Sequence, residues 1–170
     1  MSFQFQKLSV LVAEDTIPMR KLLVNVLENL GIKNIYVASD GEQAFESFKK
    51  ENQDIVLTDW VMDPMDGIDL THEIRHNSKS PNRMAPVILI TGYSAWPRVE
   101  KARDAGVTEF LVKPFTANDI ARRIAHVITK PRNFIETDDF FGPDRRRRVD
   151  PTYTGPFRRE EDQKSYSPSA

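Results

Sequence analysis

The sequence predicts an α/β fold organised around a parallel sheet, on three observations. Short, almost wholly apolar runs alternate with amphipathic stretches five times. The connections between them are short, so successive elements are neighbours in space. The runs also lack the polar–apolar alternation of a sheet with one wet face, as expected of strands covered by helices on both sides.

In chain order, residues 8–13 read as a first buried strand. Asp15 or Thr16 then caps a helix that carries Pro18 in its first turn, where a missing N–H costs nothing. Leu22, Leu23, Val26, Leu27 and Leu30 recur at helical spacing, and Gly31 stops the helix. Residues 35–38 form a second strand. Asp40 caps a second helix with Ala44, Phe45 and Phe48 on one face. Ile55, Val56 and Leu57 form a third strand, with Asp59 just past its end, and a third helix runs from about Asp66 to Asn77. Residues 78–84 are polar, contain a proline and read as a loop. Residues 86–91 are a fourth strand, 97–105 a fourth helix stopped by Gly106, and 109–112 a fifth strand. Thr116 and Asp119 make a capping box for a fifth helix, whose buried stripe is Ile120, Ile124, Val127 and Ile128.

The ordered domain is thus expected over residues 1–130. From Pro131 the character changes: residues 131–170 hold five of the eleven prolines and eight basic against eight acidic residues. This extension also carries Phe134, Phe140, Phe141, Tyr153, Phe157 and Tyr166, more aromatics than a disordered tail usually has. Residues 131–145 are therefore expected to pack on a surface. Phe134, Phe140 and Phe141 would lie beside the fifth helix and gate partner access or dimerisation. The last twenty residues are expected to be mobile.

Composition removes whole classes of function. The absence of cysteine excludes disulfides, zinc knuckles and thiol catalysis. A net charge of −1 gives no global attraction to nucleic acid or anionic membrane. The apolar run at 8–13 is too short for a signal core or a membrane span, so a cytoplasmic protein is expected.

In open parallel sheets, ligands bind beyond the carboxyl ends of the strands. There the sequence puts Glu14 and Asp15 after the first strand, Asp59 after the third, Thr91 at the end of the fourth, and Lys113 after the fifth. Three carboxylates about 4 Å apart repel by roughly 4 kcal/mol per pair at an effective dielectric near 20, so the site needs a cation. With no histidine or cysteine beside them, these oxygens suit a hard divalent ion, Mg2+. A metal and a lysine flanking a carboxylate are equipment for phosphoryl transfer, with Asp59 as the nucleophile that becomes an acyl phosphate. Taken singly, each residue has an ordinary reading as a cap, turn or surface residue. Their coincidence at successive strand ends does not.

These residues, in the segments VLVAED, VLTDW followed by MDG, ILITG and AGVTEFLVKPF, resemble the receiver domain of two-component response regulators over about residues 7–130. The resemblance implies a flavodoxin-like, doubly wound sheet in the order 2-1-3-4-5 with five helices. It implies that Asp59 is phosphorylated from a sensor histidine kinase or a histidine phosphotransfer protein. Asp15, Asp59 and the backbone carbonyl of Val61 would hold Mg2+, with Glu14 acting through water. Lys113 would contact the phosphoryl oxygens, and its bond to Pro114 would be cis. The resemblance further implies a switch in which the Thr91 hydroxyl turns toward the phosphoryl group and Phe110 rotates inward. A downstream protein would read the resulting change on the face of the fourth helix, fifth strand and fifth helix.

This sequence departs from the family at Asp63, where a proline is usual; here the proline is Pro64. Val61 and Tyr93, bulky at positions that tune loss of the phosphoryl group, imply slow self-dephosphorylation. An alternative keeps the fold and drops the chemistry: a scaffold that binds partners without phosphorylation. His72-Glu73-Ile74-Arg75-His76 matches the HExxH zinc-peptidase pattern but has no evident third ligand and a charge inside the motif. The run Arg145–Arg148 is flanked by Asp138, Asp139, Asp144 and Asp150, so DNA binding is not expected. A dehalogenase-type phosphatase would need a second Asp at Val61. The expected output is protein–protein contact without a DNA-binding or enzymatic domain.

Overall fold

The computed structural model describes residues 5–92, 96–144 and 164–167. A single 3-10 turn over Phe5–Lys7 leads into β1 (Ser9–Ala13), α1 (Ile17–Asn29), β2 (Asn34–Ala38), α2 (Gly41–Glu51) and β3 (Ile55–Asp59). Then come α3 (Gly67–His76), β4 (Val87–Thr91), α4 (Trp96–Ala105), β5 (Glu109–Val112) and α5 (Ala117–Thr129). The five strands are parallel in the order β2-β1-β3-β4-β5.

Alternate side chains of each strand point to opposite faces, so a strand buried on both must be apolar throughout. Val10, Val12, Ile55, Leu57, Ile88 and Ile90 pack with Leu23 and Leu27 of α1 and Ile120, Ile124 and Val127 of α5. Leu11, Ala13, Val56 and Val87 pack with Phe45 and Phe48 of α2 and Leu70 and Ile74 of α3. A smaller cluster of Trp60, Ile68, Leu89, Ala102 and Val107 lies under α4, with Phe110 packed against it.

Several boundaries differ from the sequence reading. Asp59 is the last residue of β3 rather than one past it. Leu22 is 48% exposed, because α1 is covered on one side only. Thr16 stands at the α1 N-cap without a side-chain capping bond; its amide and hydroxyl both donate to Glu14 Oε1 instead. The expected caps at Asp40 and the Thr116–Asp119 capping box form.

The extension contains regular structure that its sequence did not announce. Phe134–Thr137 (β6) and Phe140–Pro143 (β7) make an antiparallel hairpin, and Lys164–Tyr166 (β8) pairs with the other side of β6. Phe134 borders a cavity that α5 also lines through Val127 and Ile128, as expected, but the rest of the hairpin goes elsewhere. It packs through β7 on α3 and α4, at the amino-terminal end of the sheet. The reason is a pair of arginines. Arg75, on α3, is fully buried, with the Phe134 ring 4.8 Å from its guanidinium. Arg83 lies 3.6 Å from the Phe141 ring centroid and 3.6 Å from Glu136. Of the last twenty residues, expected to be mobile, Lys164–Tyr166 are thus strand. The run Arg145–Arg148 and Tyr93 lie outside the described residues.

Candidate functional site

The parallel sheet brings the carboxyl ends of β1, β3, β4 and β5 to one rim, and the side chains that leave those ends meet there. Asp59 closes β3 and is only 8% exposed. Its Oδ1 accepts a hydrogen bond from the Trp60 amide at 2.9 Å and faces Lys113 Nζ at 3.4 Å. Lys113 is held there by the backbone: its amide donates to the Thr91 carbonyl at 2.9 Å, and the Lys113–Pro114 bond is cis. Thr91 is buried and lies one residue beyond Ile90, the register partner of Asp59.

Glu14, Asp15 and Asp59 each offer a carboxylate oxygen, all within 4.8 Å of one another. At that separation two full charges repel by about 3 kcal/mol at an effective dielectric of 20. Glu14 shows the consequence. Burial, with the Asp59 charge adding to it, pushes its carboxyl up to about 7 against the opposing hydrogen bonds from Thr16. Its Oε2 is buried and has no hydrogen-bond partner among the described residues. A buried carboxylate oxygen left without a partner, beside two more carboxylates, fits a bound cation better than it fits protein alone. The all-oxygen donor set fits Mg2+, which keeps several waters and takes only a few carboxylates.

Packing beneath the site leaves no slack. A Cβ on Gly67 would come within 2.2 Å of the Asp59 carbonyl oxygen and 2.9 Å of Leu89 Cδ1. The Gly67 amide donates to the Trp60 carbonyl at 2.9 Å, so α3 begins directly against the end of β3. The loop between them carries Val61, 59% exposed at the rim. It also holds Asp63, which is exposed, joined to Pro64 by a second cis bond, and not part of the carboxylate cluster.

Residues 10–125 match the response regulator receiver domain. The chain belongs to that family. Over 125 residues it is 34% identical to the chemotaxis protein CheY-3 of Vibrio cholerae, spanning 74% of this chain and 95% of that one. It is 32% identical over 123 residues to CheY of Pseudomonas aeruginosa, spanning 72% and 98%. Among solved structures it resembles the CheX–CheY–BeF3–Mg2+ complex from Borrelia burgdorferi, with 30% identity and a TM-score of 0.65 over 72% of this chain and 90% of that one. The chain is thus a CheY-like receiver, a signalling domain of two-component systems, with a C-terminal extension beyond the matched residues. Among the described residues, no helix is long and apolar enough to cross a membrane.

The HExxH pattern resolves differently. His72 and His76 stack at 4.4 Å between centroids on the exposed face of α3, and Glu73 is taken by the Asn77 amide at 2.6 Å. Burial, then the neighbouring His72, lowers the His76 pKa. Among the described residues, neither histidine joins a group of three metal-capable side chains.

The sequence reading missed Arg75 as a buried anchor. Its Nε donates to the Gly106 carbonyl at 3.1 Å, and its Nη1 to the carbonyls of Arg83 and Ala85 at 2.8 and 2.7 Å. Its Nη2 donates to Thr108 Oγ1 at 3.3 Å. Burial, then the nearby Arg83, lowers this guanidinium to about 9, so it remains a cation at neutral pH. A charged residue inside a helix that otherwise reads as amphipathic was the only available signal.

Proposed function

We propose that this receiver is a phosphorylation switch whose acceptor is Asp59. A carboxylate oxygen of Asp59 attacks the phosphorus of a phosphohistidine on a sensor kinase or phosphotransfer protein. The P–N bond breaks, the imidazole nitrogen leaves with the electron pair, and an acyl phosphate forms. The observation that carries this reading is the meeting of Lys113, 3.4 Å from Asp59, with a carboxylate cluster whose Glu14 Oε2 has no partner among the described residues.

Each residue then has a role. Lys113 supplies a fixed positive charge for the phosphoryl oxygens. Asp15, Asp59 and the Val61 carbonyl would hold Mg2+, with Glu14 acting through water; bound there, the ion would supply positive charge for the transferring group. Thr91 meets the new charge with its hydroxyl, and Phe110 repacks in the cluster it shares with Trp60. The acyl phosphate carries about two negative charges where the Asp59 carboxylate carried one, and this drives the change. The downstream protein reads the face of α4, β5 and α5, where Val112 is 43% exposed. Val61 shields the acyl phosphate at the rim, so its self-dephosphorylation is slow.

The test is acetyl phosphate with Mg2+, followed by intact-protein mass. One phosphoryl group is expected on the native protein and none on Asp59→Asn. Beryllofluoride with Mg2+ should produce a saturable change in tryptophan fluorescence. A protein that takes up neither reagent is a phosphorylation-independent scaffold. A phosphoryl half-life of only seconds would remove the role given to Val61.

A further inference from the structure

We infer that the β6–β7 hairpin is coupled to Asp59 and biases its switch, an inference that rests on the reading of Asp59 as phosphoacceptor. The hairpin does not sit on a passive surface. It grips the three residues that join α4 to β5. A Cβ on Gly106 (φ +98) would meet the Phe141 carbonyl oxygen at 3.0 Å, and one on Gly142 would meet the Gly106 Cα at 2.9 Å. Here the two backbones touch, with a glycine on each side to permit it. Val107 follows in the cluster under α4, and Thr108 is held from two directions. Its carbonyl accepts from Arg132 of the extension at 3.1 Å, and its Oγ1 accepts from Arg75 and from the Val87 amide that opens β4. Arg132 also donates to the Asp144 carbonyl, tying the end of β7 to the same spot.

From this junction a continuous packed path reaches the acceptor. Val107 and Ala102 share one cluster with Phe110, Leu89 and Trp60, and the Trp60 amide donates to Asp59 Oδ1. Strand β5 is a second link. It has only four residues, so the step from Thr108 to Lys113 is roughly 16 Å of extended chain. A repacking of Phe110 beside Trp60 therefore disturbs Val107 and Gly106, and Gly106 cannot shift without displacing Phe141 and Gly142. Dense interiors switch between discrete packings rather than deforming gradually, so two arrangements of this cluster seat the hairpin unequally well.

Thermodynamic reciprocity supplies a sign-linked test on the full-length protein. Beryllofluoride with Mg2+ is titrated by tryptophan fluorescence, and amide hydrogen exchange is followed with and without it. If the analogue does not bind, the reading of Asp59 fails. If it binds, exchange in 134–143 should change by about fivefold or more, while β2, at the far edge of the sheet, stays constant. Phe141→Ala should shift the beryllofluoride dissociation constant by a similar factor, in the direction reciprocity requires. An analogue that speeds hairpin exchange must bind the variant more tightly, and one that slows it must bind less tightly. Glu136→Gln, which weakens the Arg83 pair without removing a buried ring, replaces Phe141→Ala if that variant does not fold. Unchanged exchange with unchanged affinity, or shifts of opposed sign, would reduce the hairpin to a structural cap and overturn the inference.

Discussion

The two ends of this sheet both hold buried charge, and they treat it in opposite ways. At the amino-terminal end, Arg75 is fully enclosed, yet its donors reach three carbonyls and a hydroxyl, and the Phe134 ring lies against it. At the carboxyl end, Glu14 is almost as enclosed, but among the described residues one of its oxygens has no partner, and two like charges lie beside it. A charge satisfied by the protein itself serves architecture. A charge left incompletely satisfied, at cost to stability, marks where something from outside is meant to bind.

The largest expected break in this contrast comes at Arg75. Arg75→Met takes the donor from the Gly106, Ala85 and Arg83 carbonyls, and should cost about 3–5 kcal/mol in urea unfolding, since each buried acceptor left unsatisfied costs about 1–3 kcal/mol. A loss below about 1 kcal/mol would mean that this end is not saturated in the sense argued. Gly67→Ala tests the tightness of the rim. The new methyl overlaps the Asp59 carbonyl, so a loss of about 1–3 kcal/mol is expected, together with slower phosphorylation by acetyl phosphate because Asp59 is displaced.

Glu14→Gln should act in the opposite sense to Arg75→Met. Replacing the charge by a neutral amide relieves repulsion and should raise stability without Mg2+ by on the order of 1 kcal/mol. Mg2+ affinity should fall by about tenfold, the usual cost of losing a group that orients metal-bound water. If calorimetry found the variant less stable and its Mg2+ affinity intact, the two ends would be alike after all.

The smallest effect is at the α5 capping box, three residues past Lys113 at the carboxyl end. The hydrogen bonds from the Thr116 amide, then from its hydroxyl, lower the Asp119 pKa from its usual 3.8. A carboxyl with a depressed folded value contributes stability that is fully present above 3.8 and is lost as pH falls through the lower folded value. NMR titration should therefore place Asp119 below 3.8, and Thr116→Ala should return it toward 3.8 by removing the hydroxyl bond.

How far the sequence could be read depended on the range of the interaction. The strands were legible because double burial forces runs such as Val10–Ala13 to be apolar throughout. The caps at Asp40 and Thr116 were legible because they are satisfied within four residues. The rim was legible for a less obvious reason: parallel strands put all their carboxyl ends on one side, so order along the chain already gathers Glu14, Asp15, Asp59, Thr91 and Lys113. The hairpin was not legible. β6 and β7 have four residues each and no usable periodicity, and Arg75 entered the sequence reading only as the charge that spoils a peptidase-like motif.

The sequence alone therefore determined the alternating architecture and the gathering of acids and lysine at one rim, because both follow from local pattern and strand direction. Only tertiary structure decided that Glu14 Oε2 has no partner among the described residues, that Arg75 is buried, and that β7 clasps the α4–β5 junction. Those outcomes depend on which distant groups fill one another's hydrogen bonds and voids. Neighbours thirty or more residues away, such as Gly106 for Arg75 and Phe141 for Gly106, leave no mark on the local pattern.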